Sequence, residues 1–260
     1  MDNAKDVLLD RELLIHNTKF LWGVPLNKTY PHFLIIGASG SGKTYASTII
    51  LAKLIFDVNT NHNQPCQLIL ADYKSDNDFD FIKDYPTVFR FDEVANALEL
   101  AIATLEARQK GKDTSTGLVV FFFDEWGAYL SSLDTKIKNE TIRKLSRLMM
   151  LSRSFNIQII IANQRGDAEY FGKIRDNFST VLALGALSKE TVQMFFSDEK
   201  SNLRLSHQRA EGYLKINGRN PLKEVVVPKL NHNDTRKCQD IIKNALESSL
   251  SLTSFLSSAD

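Results

Sequence analysis

The sequence predicts an α/β fold, a mostly parallel central sheet with helices on both faces, and three observations carry that reading. Short apolar runs such as "HFLIIG" (32–37), "GLVVFFFDE" (117–125) and "IQIIIANQ" (157–164) show no polar alternation, as expected of strands covered on both sides. Helix-period stretches separate those runs. Finally, "GASGSGKT" at 37–44 lies between a strand and a helix and matches G-x-x-x-x-G-K-[ST], the pattern of a phosphate-binding loop.

The first ~25 of the 260 residues read as a short amphipathic lead-in ending in "FLWGVPL", charged throughout its start and unlike a signal peptide. A strand over 32–37 then runs into a helix over 43–57. "CQLILADYK" (66–74) and "TVFRF" (87–91) are further strands. Residues 92–110 form a helix whose acidic first turn and basic last turn suit the macrodipole. After the strand at 117–125 come a helix with a basic stripe (137–153) and strands at 157–164 and 180–186. "EGYLKI" and "KEVVVPKL" read as a hairpin. The expected organisation is a lead-in (1–25), one domain (26–247) and a Ser-rich tail (248–260) that frays.

Apolar residues make up 43% and charged residues 24%, the composition of an ordinary globular chain. The net charge of +1 says nothing about partners, but residues 131–230 carry 17 basic and 10 acidic side chains, against 12 and 17 in 1–130. A basic second half suits a polyanion, and equally a mixed solvated surface. Two cysteines, Cys66 and Cys238, exclude a disulfide framework. No uncharged apolar stretch reaches ~18 residues, so no membrane insertion is expected and the cytoplasm is the default compartment.

The loop residues Gly37, Ala38, Ser39, Gly40, Ser41, Gly42, Lys43, Thr44 and Tyr45 are the candidate nucleotide contacts, a Walker A motif for ATP. Glycines let the backbone turn tightly and aim N–H groups inward, and the following helix adds its N-terminal partial charge. The Lys43 ammonium bridges β- and γ-phosphates, and the Thr44 hydroxyl ligates Mg²⁺. "LVVFFFDE" supplies a Walker B carboxylate: Asp124, at the end of a buried strand, needs a cation or hydrogen bonds, and Mg²⁺ answers that need. Adjacent Glu125 is placed to polarise the attacking water, a residue a kinase would not want. Gln164, ending a third apolar strand, emerges at the same carboxyl edge, where open α/β sheets bind ligands.

In order along the chain, "PHFLIIGASGSGKT", "ILADYKSDNDF", "VVFFFDEWGAY", "LSRSFNIQIIIANQR" and "IRDNFSTVLALGALSKETVQ" resemble the motor domain of the FtsK/SpoIIIE DNA translocases, over about residues 20–230. "DYK" stands where that family shows Asp-Pro-Lys. The resemblance implies a RecA-like P-loop fold, a hexameric ring around DNA, and ATP hydrolysis driving movement along duplex DNA. It implies that Arg153 is an arginine finger serving the neighbouring subunit, with Arg147 the runner-up. It also implies that Arg165 and Lys189, joined by Arg175, contact DNA phosphates.

Two departures stand out: Gly166 replaces the family's proline after "QR", and Gln193 replaces a frequent arginine. The membrane region and winged-helix domain of large translocases have no counterpart in the sequence, which suits a motor of a plasmid, phage or integrative element. Conjugative coupling and viral genome packaging stay open within the class, with replication, relaxase or packaging proteins as partners. From another class, a nucleotide-dependent switch or recruitment module needs no complete hydrolytic set, so Glu125, Gln164 and a finger argue against it.

Overall fold

The computed structural model describes residues 6–19, 21–23, 31–61 and 65–255. The chain runs β1 (Asp6–Asp10), α1 (Arg11–Ile15), β2 (Leu21–Gly23), β3 (His32–Gly37), α2 (Lys43–Asn61), β4 (Gln67–Asp72), β5 (Val88–Arg90) and α3 (Val94–Gln109). It continues through β6 (Val119–Asp124), α4 (Trp126–Ser131), α5 (Thr135–Ser152), β7 (Ile157–Asn163), α6 (Ala168–Phe171), β8 (Thr180–Leu184) and α7 (Lys189–Phe195). The hairpin β9 (Glu211–Ile216) and β10 (Arg219–Val226) and helix α8 (His232–Glu247) complete it.

All ten strands join one sheet in the order β2-β1-β10-β9-β8-β3-β7-β6-β4-β5. The six from β8 to β5 are mutually parallel, and β9, β10, β1 and β2 extend the β8 side antiparallel. Residues alternate between the two faces along each buried strand. Val120 and Phe122 of β6 pack with α2 and α8, whereas Val119, Phe121 and Phe123 pack with α3, α4, α5 and α7. The apolar runs lack polar alternation because both faces are covered.

β3 lies between β7 and β8, so the loop after β3 is flanked by the carboxyl ends of both. This is the crevice that parallel sheets offer to ligands. At the opposite edge, His32 is buried, donates from Nε2 to the Met149 carbonyl at 2.8 Å and accepts the Ile159 N–H on Nδ1 at 3.3 Å. Burial pushes its pKa down to about 4, so it stays a neutral strut between α5 and the sheet.

Two boundaries read from the sequence are corrected. The described part of the lead-in is no separate segment: β1 pairs with β10 (Leu9 opposite Val226), and Val7 and Leu8 are buried in the α2–α8 core. Five residues are too few for their periodicity to distinguish a strand from an amphipathic turn. The Ser-rich tail is ordered as far as Phe255. Ser249 Oγ accepts the Leu68 N–H at 2.7 Å, the Ser248 carbonyl accepts from Gln67 Nε2 at 3.1 Å, and Leu252 is buried in the α3 cluster. Its serines satisfy the start of β4, a use that composition does not reveal. Residues 256–260 lie outside the described residues.

Leu8→Ala and Leu252→Ala should each cost about 2–5 kcal/mol in denaturant unfolding, the usual result of truncating a buried leucine. A loss below about 0.5 kcal/mol, the scale of an ordinary surface change, would return that segment to the periphery.

Candidate nucleotide site

The loop between β3 and α2 turns through Gly40 (φ 80°) and Gly42 (φ 93°), left-handed values that an L side chain rarely adopts. A Cβ on Gly37 would lie 2.3 Å from Ser41 Oγ. Gly37 and Ser41 therefore sit behind the loop and shape it, while Ala38, Ser39, Gly40, Gly42, Lys43, Thr44 and Tyr45 line a cavity of about 360 Å³. Glu125 and Gln164 line the same cavity, so three candidate catalytic side chains converge there.

Register explains the convergence. Asp124 ends β6 opposite Ala162 of β7, two residues before Gln164, and β7 adjoins β3. Lys43 Nζ lies 3.0 Å from both Asp124 Oδ1 and Glu125 Oε1, and all three groups are buried, at 6%, 3% and 5% exposure. One ammonium faces two carboxylates, and Glu125 Oε2 has no partner. Burial pushes the Asp124 pKa up to about 6, against the pull of Lys43 and with the help of Glu125 and Asp72. Burial also depresses the Lys43 ammonium, but the two carboxylates outweigh it and hold its pKa above the ordinary lysine value. Glu125 holds φ 60°, a strained value for a non-glycine residue, at the junction of β6 and α4.

The excess buried negative charge fits a divalent cation, which Thr44 on the cavity wall and Asp124 would hold. Among the described residues no cluster of three or more His, Cys, Asp or Glu forms a protein-only metal site. Asp72 stands beside Asp124 in register and is equally buried, but Arg90 Nε occupies it at 3.1 Å.

The turn after β7 is tied in both directions. Asn163 Oδ1 accepts the Gly127 N–H at 2.8 Å, and its Nδ2 donates to the Arg165 carbonyl at 2.6 Å. The Gly166 N–H donates to Thr191 Oγ1 at 3.1 Å, and Thr191 N–H donates to Ser188 Oγ, the cap of α7. A proline at 166 would forfeit that donor, and any Cβ there would meet Phe195 at 2.8 Å. The departure from the family's proline thus has a local cause.

Arg165 and Lys189 are exposed at the carboxyl edge, both near enough to Glu190 to help depress its pKa, after hydrogen bonds from its own N–H and from Ser188. Arg175 is not with them. It precedes β8, at the amino edge, and pairs with Asp176 at 3.4 Å. Arg153 is also at the amino edge, in a hollow with His32, Met150 and Asn217. A six-residue strand separates that edge from the cavity by roughly 20 Å. Arg147 is exposed and pairs with Glu106 at 3.5 Å.

Sequence reasoning missed the rest of the cavity wall: Lys74, Asp78 and Phe81 after β4, Arg209 before β9, and Leu230, Thr235, Cys238 and Gln239 around the start of α8. The "DYK" segment carried a signal for Lys74. Asp78 lies in the same family-like stretch "ILADYKSDNDF", and the others lie outside any motif.

The FtsK/SpoIIIE family model matches residues 19–184, more than half of the chain. An FtsK domain-containing protein of Bacillus subtilis, YdcQ, is 28% identical over 201 residues, covering 72% of this chain and 41% of its own. The DNA translocase FtsK of Chlorobaculum tepidum is 26% identical over 187 residues, covering 61% of this chain and 23% of its own. The chain thus spans less than half the length of either relative. Among solved structures, the pCW3 conjugation coupling protein TcpA with ATPγS superposes with a TM-score of 0.63 at 15% identity, over 94% of this chain and 71% of its own. That likeness shows the fold alone, an α/β sheet covered by helices. No helix among the described residues is long and apolar enough to cross a membrane.

The Asp124 carboxyl resonance should titrate near pH 6 in the nucleotide-free protein. Because its folded pKa is raised, the folded chain holds this proton more tightly than the unfolded chain. Its contribution to stability therefore falls as pH rises from about 4 to about 6. Asp124→Asn should remove that part of the pH dependence, whereas titration at or below pH 4 would contradict the buried, cation-poor environment.

Proposed function

We propose that this chain, which belongs to the FtsK/SpoIIIE family, is an ATP-driven motor that moves along duplex DNA as a ring, with six subunits as the expected number. The observation that carries the reading is the shared cavity of Lys43, Glu125 and Gln164, one turn from Arg165 and, through Thr191, from the helix of Lys189. In this reading Lys43 leaves the carboxylates and meets the β- and γ-phosphates. Thr44 and Asp124 would hold Mg²⁺, which would neutralise charge on the transferring phosphoryl group. Glu125, released from Lys43, orients and deprotonates the attacking water, and Gln164 hydrogen-bonds water and γ-phosphate.

Movement follows from the tie between α4 and the turn after β7. A shift of Glu125 or Gln164 displaces Arg165 and the cap of α7 by way of Asn163 and Gly166. Arg165 and Lys189 then grip and release the phosphate backbone without reading sequence. Arg153, remote from its own cavity, is assigned to a neighbour's γ-phosphate. Arg175, on the same remote edge, has a place in the DNA path only if that path also runs along that edge.

The ATPase rate with and without duplex DNA tests the reading: strong stimulation supports the motor, and turnover indifferent to DNA refutes it. Lys43→Ala should lower turnover at least about 100-fold, and Glu125→Gln should bind ATP but trap it unhydrolysed. Arg153→Ala subunits mixed with Lys43→Ala subunits should regain activity that neither has alone. No rescue in confirmed mixed oligomers counts against the finger.

Arg165→Ala with Lys189→Ala should leave DNA-free turnover nearly unchanged and weaken DNA binding. The slope of log K against log salt should fall by about 0.9 for each lost phosphate contact. An unchanged slope means that the DNA path lies elsewhere.

A further inference from the structure

Three cationic side chains line the phosphate-loop cavity: Lys43, Lys74 and Arg209. Two have carboxylate partners, Lys43 with Asp124 and Glu125, and Lys74 with Asp76 at 2.5 Å. Arg209 is exposed and makes no ion pair or side-chain hydrogen bond among the described residues.

Its backbone, by contrast, is fixed. The next residue, Ala210, donates its N–H to the Ser41 carbonyl at 2.7 Å and accepts the Val227 N–H at 2.8 Å. Ala210 holds φ 65°, strained for alanine, and its N, Cα and Cβ lie 3.4 Å from where a Cβ on Gly42 would be. The segment before it is anchored by polar contacts, and β9 and β10 beside it by ion pairs. His207 Nε2 meets Glu224 Oε1 at 2.9 Å, Arg204 meets Glu211 at 3.2 Å, and Arg11 reaches Glu211 at 3.1 Å and Glu224 at 3.5 Å. A strained, well-anchored backbone laid against the phosphate loop thus presents one unpaired guanidinium to the cavity.

We propose that Arg209 is a phosphate-binding residue of the nucleotide site, acting on the nucleotide bound by its own subunit. The proposal rests on the nucleotide-site reading above and adds to it a residue beyond the span of the family match. Charge balance supports it. Lys43 enters the site already engaged with two buried carboxylates, and a triphosphate brings several more negative charges than the loop's one lysine offsets. A guanidinium is always charged, and its fork of donors fits phosphate oxygens. Location favours phosphate over base: residue 210 packs on Ser41 and Gly42, within the glycine-rich turn that aims N–H groups at phosphate.

The test is calorimetric titration of the full chain with inorganic tripolyphosphate and with ATP. The variants are Arg209→Ala, Arg209→Lys and Lys43→Ala, each checked for an unchanged melting temperature. Arg209→Ala should weaken tripolyphosphate and ATP alike by about tenfold, the scale of a lost charge-assisted contact. Arg209→Lys should recover part of the loss. Unchanged tripolyphosphate affinity in Arg209→Ala overturns the proposal, including the case in which ATP alone weakens, which would put the guanidinium on the base. If Arg209→Ala itself lowers the melting temperature, the lysine variant decides: affinity restored with the charge supports the assignment, and affinity no better than alanine's overturns it. Lys43→Ala separates the two levels. Its loss of tripolyphosphate binding without a loss in Arg209→Ala removes Arg209 only, whereas retention in both removes the nucleotide-site reading.

Discussion

One ammonium and two carboxylates share the buried floor of the cavity, and most of the site's architecture follows from keeping them there. Removing each charge from water costs several kcal/mol, and only mutual attraction at 3.0 Å offsets it. The arrangement is unbalanced: a negative charge remains in excess, Glu125 Oε2 is unpartnered, and the Glu125 backbone is strained. Such a centre gains from a ligand that brings cations to the carboxylates and anions to the lysine. A magnesium–nucleotide complex does both, and it would exchange one buried ion cluster for a better one.

The sheet brings this cluster together and connects it outward. Because β3 sits between β7 and β8, the phosphate loop touches the ends of both strands, and because β6 adjoins β7, Asp124 comes within reach of Lys43. The turn after β7 leans on α4 through Asn163 and on α7 through Gly166. On the other side, the loop before β9 clamps Ser41 and Gly42 through Ala210, and the start of β9 is fastened to the N-terminal α1 through Arg11 and Glu211. A phosphate loop gripped from both flanks has few ways to move that leave its neighbours in place.

The strands and the floor of the cavity were legible in the sequence. Apolar runs without alternation marked β3, β4, β6, β7 and β8, and "GASGSGKT" and "FFFDE" marked Lys43 and Asp124 by chemistry that few other arrangements need. The antiparallel contribution of β1 was not legible, because Val7 and Leu8 within "DVLLD" fit either periodicity. The cavity's outer wall was hidden for a different reason. Arg209, Thr235 and Gln239 reach it through long-range register and through α8 packing on α2, and no local spacing records such contacts. The family resemblance grouped Arg175 with Arg165 and Lys189, but strand direction separates them, since a residue before β8 and residues after β7 and β8 fall on opposite edges.

A structure of this chain with a non-hydrolysable ATP analogue and Mg²⁺ tests the central claim most directly. The account predicts that Lys43 Nζ moves away from Glu125 to the β- and γ-phosphates, that the metal lies between Thr44 and Asp124, and that Glu125 is left facing a water. A nucleotide bound with the Lys43–Asp124–Glu125 cluster intact, or bound outside the loop of residues 37–45, would contradict it.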